Sequence, residues 1–152
     1  MKKIILVIAL AFIGINANAQ NQKGAILLGG SSNGNITLSP STNISLGANV
    51  HYFLSDKIAV GAGLGFTKLD GIDASNTISL SGRYYLNSKM YGNVTYGLTE
   101  GALNEGLTLG AGYQMMLSDK VAFLSGLDYW MNPAEGADAS IALNMGISVF
   151  IR

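Results

Sequence analysis

The chain has 152 residues, of which 20 are glycine, nine are basic and nine acidic, and none is cysteine. Only 12% of the residues are charged against 49% apolar, which is too little charge to clothe an ordinary soluble domain. The missing cysteine excludes a disulfide framework and a lipoprotein-type lipid anchor, and the balance of charge gives no reason to expect nucleic-acid binding.

Lys2 and Lys3 precede an apolar run from Ile4 to Ile13, and Ala17-Asn18-Ala19 supplies small residues at a cleavage position, so residues 1–19 read as a cleaved signal peptide. The run is too short and too early to be retained as a spanning helix, and no later segment is apolar for the roughly 20 residues that such a helix requires. Residues 20–152, about 133 in number, suit a single domain. Without Lys2 and Lys3, seven of the nine basic groups remain beside the nine acidic ones.

Eight strands follow, at about 23–31, 42–54, 58–67, 76–86, 89–98, 106–117, 121–131 and 139–151. Each is near the 9 to 11 residues that cross a bilayer at barrel tilt. In the second, Ile44, Leu46, Ala48, Val50, Tyr52 and Leu54 share one face and Asn43, Ser45, Gly47, Asn49 and His51 the other. The last strand repeats the split, with Ile141, Leu143, Met145, Ile147, Val149 and Ile151 opposite Ser140, Ala142, Asn144, Gly146 and Ser148. In the first strand Ala25-Ile26-Leu27-Leu28 is apolar on both faces, which leaves its register open.

Two closed barrels use such alternation: a soluble lipocalin-like barrel with its oily face inward, and a membrane barrel with that face toward lipid. The second face decides between them. A soluble barrel clothes its exterior in charge, whereas these strand cores offer Gly, Ser, Thr and Asn, with Arg83 and Asp128 almost the only charges. The expected fold is all-β, an eight-stranded antiparallel up-and-down transmembrane barrel.

The connections alternate in length. Ser55-Asp56-Lys57, Asn87-Ser88-Lys89 and Ser118-Asp119-Lys120 are tight turns, and the connections near 32–41, 68–75, 99–105 and 132–138 are longer. The short turns mark a repeat of about 32 residues, one hairpin per unit: His51-Tyr52-Phe53-Leu54-Ser55-Asp56-Lys57, Arg83-Tyr84-Tyr85-Leu86-Asn87-Ser88-Lys89 and Met115-Met116-Leu117-Ser118-Asp119-Lys120. Tyr52, Tyr84 and Tyr113 lie on the oily face near the short turns, and Phe66, Tyr96 and Tyr129 near the longer loops, as two interfacial girdles require. The longer loops hold Asp70, Asp73, Glu100, Glu105, Glu135 and Asp138 against Lys68, so one rim is acidic. The turns set Asp56 and Asp119 against Lys57, Lys89 and Lys120.

From Gly24 to Arg152 the chain resembles the small outer-membrane β-barrel proteins of Gram-negative bacteria, the OmpA-like and OmpX-like class, and within it the short porin-family proteins. The residues that carry this are Leu38-Ser39-Pro40, the stretch from Tyr52-Phe53-Leu54-Ser55-Asp56-Lys57 through Ile58-Ala59-Val60-Gly61-Ala62-Gly63-Leu64-Gly65, and the two later copies of the turn. The resemblance implies the outer membrane as the address, both termini in the periplasm, outer-membrane lipid and lipopolysaccharide as surroundings, and assembly by the barrel-assembly machinery as a monomer. Family members often close with an aromatic final residue read by that machinery. This chain departs from the pattern, ending Val149-Phe150-Ile151-Arg152, with Phe150 the nearest aromatic for that role.

Residues that signal chemistry are few. His51, the sole histidine, lies on the polar face beside the first short turn, whereas outer-membrane acyl hydrolases of similar architecture need a His beside a Ser at the outer, lipid-facing rim. It is expected in a lumen hydrogen-bond network, without a second histidine or a cysteine to complete a metal site. Gly61-Ala62-Gly63-Leu64-Gly65 has the look of a dinucleotide loop but continues a strand, so these glycines are lumen spacers and no cofactor is expected. Three triplets at Asn35, Asn43 and Asn93 match a glycosylation acceptor and mean little in bacterial-type export.

Arg83 and Asp128 fall on the polar face of the fourth and seventh strands, placed to pair through the lumen, with Gln114, Tyr85, Tyr91 and Trp130 filling the remainder. Such a filled lumen is a plug in a barrel of this size. The expected function is therefore non-enzymatic, structural or surface-interacting. A narrow channel for ions or very small solutes and an outer-membrane lipid-modifying enzyme stand as the alternatives.

Overall fold

The computed structural model describes residues 21–34, 43–69, 75–99, 106–131 and 140–151. The signal peptide expected over 1–19, the charges expected on the longer loops from Asp70 onward, the Leu38-Ser39-Pro40 motif and Arg152 lie outside the described residues.

Eight antiparallel strands form one closed sheet: β1 (Ile26–Gly34), β2 (Asn43–Phe53), β3 (Ile58–Leu69), β4 (Ser75–Tyr85), β5 (Met90–Thr99), β6 (Gly106–Met116), β7 (Val121–Met131) and β8 (Ser140–Ile151). Each pairs with its neighbours in sequence, and β1 closes on β8 through pairs such as Leu27 with Phe150 and Gly29 with Ser148. Closure leaves no strand edge unpaired, so the ladder satisfies the backbone without water, as a bilayer demands.

Period-two alternation runs through every strand. Leu46, Val50 and Tyr52 point outward from β2 while Asn49, His51 and Phe53 point in; Ile141, Met145, Ile147 and Val149 point outward from β8 while Asn144, Ser148 and Phe150 point in. The three tight turns are built alike. Ser55 Oγ accepts from the backbone N–H of Lys57 (3.3 Å) and of Ile58 (3.1 Å), and Asn87 Oδ1 accepts from Lys89 and Met90 (both 2.8 Å). Ser118 Oγ does the same for Lys120 (3.4 Å) and Val121 (3.2 Å). A short side-chain acceptor at that position is the reason the repeat keeps Ser or Asn there.

The first strand differs from expectation at its start. It begins at Ile26, not at residue 23, because residues 21–25 turn across the mouth of the barrel at the short-turn end. Gly24 adopts φ +89°, a conformation that L side chains rarely take, and its N–H bonds to Phe53 O at 2.8 Å. Lys23 N–H bonds to Asp56 Oδ1 at 2.9 Å. Asn21 and Ala25 are thereby buried. The ambiguous register resolves with Leu27 inward and fully buried and Leu28 outward.

Candidate functional site: the barrel lumen

The lumen divides into two halves. At the short-turn end Leu27, Phe53, Tyr85, Tyr91, Met116, Leu124 and Phe150 turn inward and form one buried apolar cluster with Ala25, Ala59 and Ala122. Phe53 packs on Tyr85 at 5.4 Å between ring centroids and on Phe150 at 6.0 Å, and Tyr85 packs on Tyr91 at 5.5 Å, all tilted, the geometry that aromatic quadrupoles favour. Among the strand residues toward the other end the inward positions are mostly Gly, Ser, Thr and Asn, and most are only half-buried, Ser75 and Gly106 being buried.

Polar side chains tie the cluster to its surroundings. Gln114, fully buried, accepts at Oε1 from the Tyr85 hydroxyl (3.1 Å) and donates from Nε2 to Asn21 Oδ1 (3.1 Å). The segment before β1 is thus pinned inside the mouth by a residue of β6. A depression of about 310 Å³ remains outside it, between Asn21 and Gln22 and the turns at Asp56-Lys57 and Asn87-Ser88.

Above the cluster, side chains meet by reaching across an intervening strand, and a glycine in that strand makes the contact possible. His51 on β2 and Ser81 on β4 are both in register with Gly61 of β3, and Ser81 Oγ lies 2.9 Å from His51 Nε2. Asn93 on β5 and Asp128 on β7 are both in register with Gly110 of β6, and Asn93 Nδ2 donates to Asp128 Oδ1 (3.3 Å). Asn144 on β8 completes the group by donating from Nδ2 to Asp128 Oδ2 (2.6 Å). A Cβ at Gly61 would meet the His51 ring at 2.6 Å, and one at Gly110 would overlap Asp128 Oδ1. The spacer reading of the glycines acquires a specific purpose: they are the gaps through which second-neighbour strands touch.

Arg83 and Asp128 face the lumen but do not pair. No ion pair joins them among the described residues. Asp128 is held by the two asparagine amides, and the Arg83 guanidinium lies over the Tyr91 ring at 4.8 Å from its centroid. Arg83, Asn93, Gly110 and Asp128 lie in one row of paired residues, so the Asn93 side chain stands between the two charges and itself takes Asp128. The plug is therefore aromatic and apolar, where an ion pair was expected. Its main components, Phe53, Phe150, Leu27 and Leu124, are not among the lumen residues that the sequence singles out. Parity alone finds three of them: Phe53 is in phase with Asn49 and His51, Phe150 with Ser148, and Leu124 with Asp128.

His51 has a serine partner, but the pair sits inside the barrel, 2% exposed, and His51 Nδ1 has no protein partner to orient it as a base. That arrangement is unlike an acyl-hydrolase site open to lipid at the rim.

No protein-family model and no curated protein matches the chain. Solved structures do. The N-terminal β-barrel domain of Pseudomonas aeruginosa OprF superposes with a TM-score of 0.64 at 14% identity, over 85% of this chain and 98% of that one. This is the fold of the small outer-membrane barrels. Ail of Yersinia pestis, solved in a phospholipid bilayer nanodisc, matches with a TM-score of 0.58 at 12% identity, covering 85% of this chain and all of Ail. A de novo designed transmembrane β-barrel matches at 0.59 and 16% identity, covering 86% and 98%.

The outside of the barrel agrees with that fold. Leu46, Leu64, Ile78, Leu80, Leu127 and Ile141 each stand more than half exposed, the reverse of a soluble protein's surface. Tyr52, Tyr84 and Tyr113 point outward near the short turns, and Phe66, Tyr96 and Tyr129 point outward toward the opposite end.

Proposed function

We propose that this protein is a monomeric, non-enzymatic outer-membrane barrel with a structural or surface-interacting role, closed to solute passage at its short-turn end. The observation that carries the reading is the buried cluster of Phe53, Tyr85, Tyr91 and Phe150 across the lumen, roofed by the segment around Asn21. An eight-stranded barrel has an interior just wide enough for side chains to fill, and here aromatic rings occupy it. The two sets of outward aromatics are the girdles at the membrane–water interfaces, with the short turns on the periplasmic side and lipid and lipopolysaccharide around the wall. The residues that do the work are lipid-facing ones, and no catalytic group is assigned.

Planar-bilayer recordings of the purified barrel test this. Silence beyond the lipid and detergent baselines is expected, and a reproducible unitary conductance would replace the plug with the channel alternative. Envelope fractionation with unheated and heated gels tests the address: an outer-membrane band that shifts on boiling is expected, and a soluble periplasmic band overturns it.

A further inference from the structure

We propose that Arg83 and His51 form a binding site for a small monovalent anion of halide size within the barrel lumen. The first argument is charge. Arginine stays protonated in proteins, and Arg83 and Asp128 are the only charged side chains facing the lumen among the described residues. Both Asp128 oxygens accept from Asn93 and Asn144, so Arg83 has the Tyr91 π face and the Tyr85 hydroxyl for company and no carboxylate. A half-buried cation without a counter-charge is costly, and the ring and the hydroxyl offset only part of that cost.

The second argument is the donors. Arg83 Nε and Nη1 and His51 Nδ1 are buried without a hydrogen-bond partner. His51 Nε2 lies 2.9 Å from the Ser81 hydroxyl, which donates to it when the ring proton is on Nδ1. In that tautomer Nδ1–H and the two guanidinium nitrogens are all donors lacking acceptors, the requirement of an anion and not of a metal ion. Buried donors left without acceptors are costly, so an acceptor that reaches them is held.

The third argument is placement. His51 on β2 and Arg83 on β4 flank β3, paired with Gly61 and Ala59 respectively, and the His51 ring lies over Gly61, so imidazole and guanidinium face the same stretch of lumen. Tyr91 covers one face of the guanidinium, leaving the plane in which its N–H groups point, and Phe53 and Tyr85 close the lumen beneath. The inward residues toward the other end include Gly63, Gly65 and Ser79, half-buried and small, which suits a halide better than a bulky organic anion.

Crystals of the folded barrel grown in sodium bromide test the site directly. An anomalous bromide peak within hydrogen-bonding reach of Arg83 and His51 is expected, and ordered density there without anomalous signal overturns the proposal. In solution the unfolding midpoint of the wild type is expected to be higher in chloride than in gluconate at equal ionic strength, because a ligand of the native state alone stabilises it. That difference is expected to vanish in Arg83→Gln and to shrink in His51→Phe; an undiminished difference in Arg83→Gln overturns the assignment. If Arg83→Gln does not fold, the bromide crystal of the wild type decides.

Discussion

Gly110 sits in register between Asn93 and Asp128, and its missing side chain lets those two groups touch over the top of β6. Gly112 plays the same part for Tyr91, whose ring occupies the place a Cβ would take. Gly112→Val is therefore expected to destabilise the barrel by about 1–3 kcal/mol through overpacking, measured as a lower urea midpoint of folding into lipid vesicles. Tyr91→Ala in the same background removes the obstacle, so the double variant is expected to be less destabilised than the two single effects combined. Simple additivity would mean that the two positions do not meet. Asp128→Ala leaves the Asn93 and Asn144 amides without their acceptor and is expected to cost about 1–3 kcal/mol in the same assay. Asp128→Asn keeps an acceptor oxygen and is expected to cost less, and an equal cost for both would show that the charge itself matters. The Asn93–Asp128 contact joins strands two apart in the sheet, so no pattern within one strand announces it.

Within an element, parity separates two populations whose tolerance to substitution differs. Leu64 stands outward at the middle of β3, 66% exposed, with Gly63 and Gly65 facing the lumen beside it. Leu64→Arg is expected to destabilise the folded barrel by about 2–4 kcal/mol in vesicles, and the same change at Leu54 beside the first turn by about 0–1 kcal/mol. Equal costs at the two depths would argue against a bilayer around this face. Phe53, at the end of β2, is inward and fully buried against Tyr85 and Phe150. Phe53→Ala is expected to cost about 3–5 kcal/mol by leaving a cavity, read from the same urea titration. The turns that follow these strands were legible in the sequence because each carries its own hydrogen-bond acceptor, at Ser55, Asn87 and Ser118.

At the scale of the whole molecule, closure and blockage have different owners. The β1–β8 pairing closes the sheet, while the segment before β1 and the inward aromatics close the lumen. Shaving the aromatics without touching the ladder separates the two. The triple variant Phe53→Ala, Tyr85→Ala, Phe150→Ala, folded in the same lipid, is expected to retain heat-modifiable mobility while gaining ion conductance. If conductance stays at baseline in a variant that still shifts on heating, the blockage lies elsewhere in the barrel. Conversely, loss of the heat shift would mean that the cluster also holds the barrel together.

The chain by itself determined the strand number, the inside and outside of the strands after the first, the three tight turns and the membrane character of the wall. Each of these is written locally, in a period of two, in a run of oily residues or in one turn side chain. The start of β1 was not legible, because Ala25 to Leu28 is apolar on both faces and only the bonds of Gly24 to Phe53 and of Lys23 to Asp56 end the strand at Ile26. The partners of Arg83 and Asp128 were not legible either. Both face the lumen, yet which groups meet there depends on the stagger of eight strands around a closed circuit. That stagger sets Asn93 and Asn144 against Asp128 and Tyr91 beneath Arg83, a relation between residues far apart in sequence that exists only once the sheet has closed.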